Sequence, residues 1–202
     1  MTKAKPETLA GDEAPSAALM LKWIGIVLGL AALCVVVVGL LLPREWHVEA
    51  SVDIDAPLED IHGLVADVER WDEWMFDPDV APQDMRVLAD PIKSMVEWEG
   101  QGSKGAIWIV EADPRAGVRW DGKIDADKAN NHGRIEYAAL DDGRVRVTLI
   151  DEGTLPQVFG GYFVPVMNSA LSQHFSAALE RLAVAAEGVT DPADGRVDGV
   201  DP

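Results

Sequence analysis

The chain has 202 residues, of which 48% are apolar and 26% are charged, and its formal net charge is -18. This length allows one compact domain with additional segments. The negative charge argues against a nucleic acid as partner, because phosphate backbones would be repelled. The single cysteine, Cys34, excludes a disulfide framework and a cysteine-rich metal site.

A long apolar segment follows a polar N-terminal stretch. Residues 1–21 mix Pro, Ala and acidic residues, which predicts a disordered tail. The segment Trp23-Leu42 carries no charge, and a helix of this length would span about 30 Å, the thickness of a bilayer's hydrocarbon core. We therefore predict a transmembrane anchor over residues 22–43, with Trp46 at the following membrane interface.

Two other interpretations of this apolar segment are weaker. A buried core helix of this length would not be apolar on every face. A cleaved signal peptide would have a shorter apolar region and small residues at the cleavage site, whereas the segment ends in three leucines and Pro43. An uncleaved anchor is therefore the prediction.

The distribution of basic residues predicts the orientation of this anchor. Lys3, Lys5 and Lys22 precede it, whereas Arg44 alone lies just after it. Because basic residues are retained on the cytoplasmic side, we expect a single-pass membrane protein with a cytoplasmic N-terminus and an extracytoplasmic (periplasmic) domain. Two glycines spaced four residues apart, at positions 25 and 29, would allow a dimer through the anchor.

The remaining domain, residues 44–188, opens with a strand and a short helix. Apolar and polar residues alternate over residues 48–55, as is typical of a half-buried strand. Pro57, with acidic residues just after it, then predicts the first turn of a helix. Trp71 and Trp74 follow this helix.

This opening resembles the SRPBCC superfamily, the START-like, Bet v 1-like group that includes polyketide cyclases, dehydrases and lipid-transport domains. The resemblance is carried by residues 54–61 (IDAPLEDI) and 64–74 (LVADVERWDEW). The apolar segment ending in Leu-Pro before the first strand is similar to a membrane-anchored bacterial branch. The chain departs from the pattern at His62, where an aromatic residue is frequent, and at Asp72, where a proline is usual.

The later segments predict the rest of an antiparallel sheet. Short alternating segments lie between turns rich in Gly, Asp, Asn and Pro, and residues 130–133 (Asn-Asn-His-Gly) are interpreted as one of the loops. Strands joined by short turns form a meander with one polar and one apolar face. Residues 189–202 have no apolar periodicity and are predicted to be a disordered acidic tail.

A long amphipathic helix is predicted over residues 162–187. Pro165 is expected in its first turn and Gly188 at its end. Apolar residues recur at steps of three and four, at Val164, Met167, Leu171, Phe175, Ala178 and Leu182. The predicted fold class is α+β, with a curved antiparallel sheet of about six or seven strands around this helix. That is the helix-grip fold that the resemblance implies.

The concave side of the sheet is the candidate ligand site. Its apolar and aromatic wall would suit an apolar or aromatic ligand. The alternative is that these side chains only pack against the long helix, which is the commoner outcome for a single residue. The resemblance implies an open cavity. The candidate ligand-binding residues are Trp98, Trp108, Trp120, Tyr137, Val147, Leu149, Met167 and Leu171.

Two polar residues are candidates for catalysis. Asp151 continues the inward-facing series of the last strand and could orient a ligand hydroxyl or act as a general acid or base. The alternative, which the sequence favours, is that the strand has already ended and Asp151 is solvated. His174 lies beside the apolar stripe of the long helix, where a half-exposed histidine without a role is the commoner case.

No metal-ligand spacing, phosphate loop or Gly-x-Ser-x-Gly motif occurs, so no cofactor is expected.

The sequence favours a membrane-anchored binding module for a hydrophobic small molecule, lipid-like or aromatic. A domain held at the bilayer surface would receive an apolar ligand over a short distance. One alternative is a polyketide cyclase/dehydrase-like enzyme that uses Asp151 or His174. Another is a non-catalytic interaction scaffold at the membrane. Binding without catalysis is preferred because no catalytic pair can be placed from the sequence.

Overall fold

The computed structural model describes residues 17–76, 86–90, 94–100, 103–124 and 129–190. They form an open antiparallel sheet of seven strands with a long helix packed on its concave face, which confirms the predicted helix-grip fold. The elements are α1 (Ala17–Leu41), β1 (Glu45–Ile54), α2 (Leu58–Val65), a 3₁₀ helix (Val68–Glu73), β2 (Arg86–Asp90), β3 (Met95–Gly100), β4 (Ser103–Asp113), β5 (Gly117–Ile124), β6 (Ala129–Ala139), β7 (Val145–Thr154) and α3 (Gly160–Thr190).

Helix α1 is exposed along nearly its whole length. It begins at Ala17, so residues 17–21, predicted to belong to the N-terminal tail, are helical. Residues 1–16 and 191–202, where disordered tails are predicted, lie outside the described residues. Within the described part of the chain, α1 is the one helix long and apolar enough to cross a membrane, by length and composition.

The sheet has the strand order β1-β7-β6-β5-β4-β3-β2, and all neighbours are antiparallel. Alternating side chains of β1 point into the core, among them Trp46, which is only 2% exposed. The assignment of Trp46 to the membrane interface was therefore wrong. The predicted loop at residues 130–133 was also wrong, because these residues pair with β5 on one side and β7 on the other.

The two tryptophans that follow α2 attach its end to the core. The indole Nε1 of Trp71 donates to the carbonyl of Val65 at 2.9 Å, and that of Trp74 donates to the carbonyl of Leu64 at 3.2 Å. Both carbonyls lie at the C-terminal end of α2, where no intrahelical partner remains. Asp67 accepts a hydrogen bond from the backbone N–H of Glu69 at 3.0 Å and so begins the 3₁₀ helix.

Helix α3 is longer at both ends than predicted. It begins at Gly160, so Pro165 lies inside the helix, and it continues through Gly188 to Thr190. The first turn of α3 packs closely against Leu42, just after α1, and a Cβ added at Gly161 would meet Leu42. Glycine is required by this contact but is a poor helix former, so the sequence does not predict this turn. The C-terminal half of α3 supplies buried core residues, namely Phe175, Ala178, Leu179, Leu182 and Ala186.

Candidate functional site

A cavity of about 190 Å³ lies between the concave face of the sheet and α3. An apolar cavity of roughly 150 Å³ is large enough to hold benzene, so this one has room for a single ring with a small substituent. Its walls are mainly aromatic and aliphatic. They are formed by Trp46, Met75, Phe76, Trp98, Ile107, Trp120, Asn131, Asp151, Met167, Leu171, His174 and Phe175.

Part of the predicted site meets at this cavity. The structure brings together Trp98, Trp120, Asp151, Met167, Leu171 and His174. Their role in binding or catalysis stays a prediction. Three other candidates do not line the cavity: Val147 and Leu149 are fully buried in the core, and the Tyr137 hydroxyl lies 3.2 Å from Nδ1 of His62. Burial raises the pKa of Tyr137 and lowers that of His62, so both side chains are neutral at neutral pH.

The placement of Trp108 on the concave wall was wrong. Its cross-strand neighbours are Met95 on β3 and Asp121 on β5. Side chains opposite one another in a sheet share a face, and the next residue along β4, Ile107, is the one that lines the cavity. Trp108 therefore lies on the convex face. The apolar run around it hid the alternation that would have shown this.

Glycines on neighbouring strands leave room for the three indoles of the sheet wall. Trp98 is paired with Gly105, Trp120 with Gly133 and Trp46 with Gly153. A Cβ added at any of these glycines would overlap the indole ring opposite it. The rings can therefore lie close against the sheet, as aromatic residues do when they cover a glycine on the adjacent strand. This arrangement contributes to the space below α3.

A buried polar cluster interrupts the apolar wall. Asp151 is 3% exposed, so the alternative that it is solvated was wrong. Its Oδ1 accepts from Trp46 Nε1 at 2.9 Å, and its Oδ2 accepts from Asn131 Nδ2 at 3.0 Å. Burial raises the pKa of the Asp151 carboxyl, and these two hydrogen bonds partly oppose the rise because they stabilise the charged form.

Two buried polar atoms of residues that line the cavity have no hydrogen-bond partner among the described residues. They are the indole Nε1 of Trp120 and the side-chain Oδ1 of Asn131, and both residues are buried. The ring of Trp120 also packs edge-on against Trp71, with 5.8 Å between the ring centroids. This contact holds the indole in position. Within the described residues, no cluster of His, Cys, Asp and Glu could hold a metal ion.

Sequence reasoning missed half of the cavity. Trp46 was assigned to the membrane interface and Asn131 to a loop, and no role at the cavity was predicted for Phe175 although it belonged to the helical stripe. Neighbouring glycines were a usable signal, because a Gly within a strand often marks a close approach by another group. The other cavity residues that were missed are Met75, Phe76 and Ile107.

Comparison with known proteins agrees with this architecture. A structure from Rhizobium loti superposes with a TM-score of 0.53 at 12% identity and covers 70% of this chain and 96% of its own. One from Chromobacterium violaceum gives a TM-score of 0.51 at 20% identity, covering 72% of this chain and 99% of its own. One from Mycobacterium smegmatis gives 0.52 at 16% identity, covering 71% and 92%. At these identities the likeness shows the fold alone.

No match was found among curated protein sequences. Residues 45–187 do match a protein family described as "Polyketide cyclase / dehydrase and lipid transport". This match extends from the first residue of β1 almost to the end of α3 and so includes the whole cavity. The chain therefore belongs to the polyketide cyclase / dehydrase and lipid transport family, within the SRPBCC superfamily that its opening strand and helix indicated.

Proposed function

We propose that this protein is a membrane-anchored module that binds a small hydrophobic molecule, lipid-like or aromatic, between its sheet and α3. The cavity of about 190 Å³, with its aromatic and aliphatic wall, is the observation that carries the proposal. Burying apolar ligand surface there would contribute about 25 cal/mol per Å². The description of the family includes lipid transport, which supports a ligand of this class.

Contacts between α1 and α3 support the membrane-anchored part of the proposal. The hydroxyl of Tyr162 donates to the backbone carbonyl of Val35 at 2.8 Å. Val35 lies six residues before the last residue of α1, Leu41, or about 9 Å along the helix axis. A Cβ at Gly39 would overlap the carbonyl oxygen of Val158, so the two segments meet closely. The start of α3 therefore lies at the level of the C-terminal turns of α1.

Exposed apolar side chains lie in the first turns of α3 and on the residue just before it. Phe159, Phe163 and Val166 are 58%, 61% and 67% exposed. If α1 spans a bilayer, these side chains lie at its interface, where apolar and aromatic groups are favoured. The cavity wall begins at Met167, which is about 6 Å along the helix axis from Phe163. A ligand that leaves the bilayer would therefore have a short path to the cavity.

Filling the cavity tests the binding function. We expect the full chain, purified in detergent micelles, to retain an apolar molecule in its native mass spectrum or to take up toluene in a saturable way. Leu171→Trp places a large side chain in the cavity and should abolish this binding. Val184→Trp adds the same side chain at a position of α3 that is 73% exposed, and should leave binding intact. A wild-type protein that retains no molecule and takes up no toluene contradicts the proposal.

Spin labels test the position of α3 at the membrane. On a Cys34→Ser background, nitroxide labels at Phe163→Cys and Val184→Cys are placed on two exposed positions of one helix. In lipid nanodiscs the label at position 163 should be more accessible to oxygen than to a water-soluble nickel chelate. The label at position 184 should show the opposite. Equal exposure of both labels to the nickel chelate would contradict contact between α3 and the bilayer.

An enzyme of the cyclase or dehydrase type is a second candidate, and the buried carboxyl of Asp151 is the observation that favours it. A raised pKa would allow Asp151 to donate a proton to a ligand oxygen and then accept it back. We expect Asp151→Asn to abolish turnover of a test ketide by such an enzyme while the ketide still binds. If the wild-type protein binds the test ketide without turnover, the binding function is favoured.

A further inference from the structure

Two indole rings of the sheet wall turn a face toward the cavity. A Cβ added at Gly105 would lie against three consecutive ring atoms of Trp98, namely Cε2, Cζ2 and Cη2. One added at Gly133 would lie against Nε1, Cε2 and Cζ2 of Trp120. Three consecutive atoms close to one point mean that each ring lies flat over its glycine. One face therefore covers the sheet, and the opposite face is turned toward α3 and the cavity that both residues line.

Aromatic rings also reach the cavity from outside these two strands. Trp46 lies on β1, Phe76 follows the 3₁₀ helix, and Phe175 lies on α3, opposite the sheet. The face of an aromatic ring carries partial negative charge, so a cation placed over it is attracted. Five Trp and Phe side chains around a cavity of about 190 Å³ thus form a wall that suits a positively charged group with an apolar surface.

The charged group of the wall is an acid. Among the described residues that line the cavity, Asp151 is the one carboxylic acid, and there is no Lys or Arg. Gly133 is paired with Trp120 on one side and with Asp151 on the other, so the ring that covers this glycine lies beside the carboxyl. Burial raises the pKa of Asp151, and a cation in the cavity would oppose this rise by stabilising the carboxylate.

The hydrogen bonds of Asp151 restrict the kind of cation. Its Oδ1 already accepts from Trp46 Nε1 at 2.9 Å, and its Oδ2 accepts from Asn131 Nδ2 at 3.0 Å. A primary ammonium group brings three N–H donors that all need acceptors, and the wall is mainly apolar and aromatic. A quaternary ammonium group has no N–H, and methyl groups form its surface. It therefore leaves no donor unpaired when it is buried.

Other ligand groups use less of this site. A carboxylate or a phosphate would be repelled by Asp151 and by the faces of the rings. A neutral hydrocarbon gains from burial but leaves the carboxyl without an opposite charge. A cavity of roughly 150 Å³ holds benzene, and a trimethylammonium group is similar to benzene in size. The cavity of about 190 Å³ therefore has room for this group with a short chain attached.

We propose that the ligand carries a quaternary ammonium group, and that this group lies over the indole rings of Trp98 and Trp120 near the carboxylate of Asp151. The inference rests on the proposed binding function, to which it adds the chemical class of the ligand. A soluble quaternary amine and the headgroup of phosphatidylcholine present the same group.

Choline and dimethylbutanol, its uncharged analogue with a carbon atom in place of the nitrogen, are the matched probes. Each is titrated into the full chain in neutral maltoside micelles at about pH 8, above the ordinary pKa of histidine. The methyl proton resonance of choline should move upfield in a saturable way, because ring currents shield a group that lies over an indole face. Choline should bind at least about tenfold more tightly than dimethylbutanol. Dimethylbutanol is the more hydrophobic of the two, so this order requires electrostatic attraction.

Substitutions on opposite faces of the sheet separate the effect of the ring from that of hydrophobicity. Trp98→Leu keeps an apolar side chain at the cavity and should lower the affinity for choline about tenfold, and that for dimethylbutanol by less than about threefold. Trp108→Leu, the matched control on the convex face, should change neither affinity. Asp151→Asn should weaken choline but not dimethylbutanol. The comparison of the two probes in the wild-type protein gives the answer even if a variant does not fold.

A lipid competitor distinguishes the two sources of the ammonium group. If the cavity accepts a lipid headgroup, dihexanoyl phosphatidylcholine added to the micelles should displace choline in a saturable way. Phosphatidylethanolamine of the same chain length, whose ammonium group has no methyl groups, should not displace it. If phosphatidylcholine does not displace bound choline either, the ligand is a soluble quaternary amine.

The outcomes separate this inference from the function on which it rests. If dimethylbutanol binds at least as tightly as choline, if toluene binds and choline does not, or if Trp98→Leu weakens both probes equally, the ammonium inference is wrong and the apolar binding function stands. If choline, dimethylbutanol and toluene all fail to bind the wild-type protein, the binding function fails, and the ammonium inference fails with it.

Discussion

The two ends of the interface between the sheet and α3 are filled differently. At the end where β1 finishes, α2 and the C-terminal half of α3 pack tightly, and Ile54, Ile61 and Leu182 have no exposed surface. The carboxylate of Glu187 there accepts from the backbone N–H of Asp55 at 3.2 Å. At the end where β1 begins, the N-terminal half of α3 covers the cavity of about 190 Å³.

The difference shows how one alternating strand pattern supports both a core and a cavity. Valine and leucine residues of β7 fill the tight end, where α2 provides a second layer over the sheet. At the other end, each indole lies opposite a glycine on the neighbouring strand, and Asp151 and Asn131 replace apolar residues. Protein cores are close-packed, so a retained cavity with a buried polar cluster is an exception that function explains better than stability does.

The largest contrast should come from the same truncation at the two ends of α3. Leu182→Ala removes a fully buried side chain in the tight region and should lower the free energy of unfolding by about 2–5 kcal/mol. Leu171→Ala removes a half-buried side chain beside an existing cavity and should lower it by about 1 kcal/mol. Urea unfolding of the full chain in micelles, followed by near-ultraviolet circular dichroism, measures both. Equal losses would show that the two ends are packed alike.

An intermediate effect is expected where glycine supports an indole. Gly133→Ala places a methyl group against the ring of Trp120 and should destabilise the protein by about 1–3 kcal/mol, with a change in tryptophan fluorescence. Gly63→Ala is the control, because no atom lies within 4 Å of the added methyl group. In the helix α2 it should stabilise the protein by about 0.5–1 kcal/mol. Full tolerance of Gly133→Ala would mean that the indole does not lie against the sheet.

The smallest effect concerns the pH dependence of stability. Because burial raises the pKa of Asp151 above its ordinary value of 3.8, the native state holds this proton to higher pH than the unfolded state does. The stability of the wild-type protein relative to Asp151→Asn should therefore fall as the pH rises from about 3.8 through the raised pKa. Thermal unfolding of both proteins from about pH 3 to about pH 8 measures this difference in stability.

The adjacent residue Glu152 provides a control of opposite sign. It lies on the other face of β7, and its hydrogen bond with Arg134, at 2.8 Å, lowers the pKa of its carboxyl below the ordinary value of 4.5. The stability of the wild-type protein relative to Glu152→Gln should be greatest above this ordinary value and fall as the pH drops through the lowered pKa. The same slope for both variants would contradict the burial of Asp151.

The secondary structure could be predicted from the sequence because its causes are local. The alternation in β1, β5 and β7 and the stripe of α3 follow from which residues must face the core. The apolar composition of α1 is likewise visible in a single window of sequence. The ends of elements were less certain: α3 begins at Gly160, and its first turn packs against Leu42, a residue more than a hundred positions away.

Half of the cavity could not be predicted from the sequence because it depends on which residues of neighbouring strands lie opposite one another. Trp46 and Asn131 both lie opposite Gly153, one on β1 and the other on β6. Trp46 lies 105 residues and Asn131 lies 20 residues from Asp151 in the chain, yet the two flank Asp151, donate to its two oxygens and bury it. The local sequence determined that Asp151 continues an inward-facing series. Only the tertiary structure, by placing a strand on each side of β7, decided that this carboxyl is buried and faces a cavity.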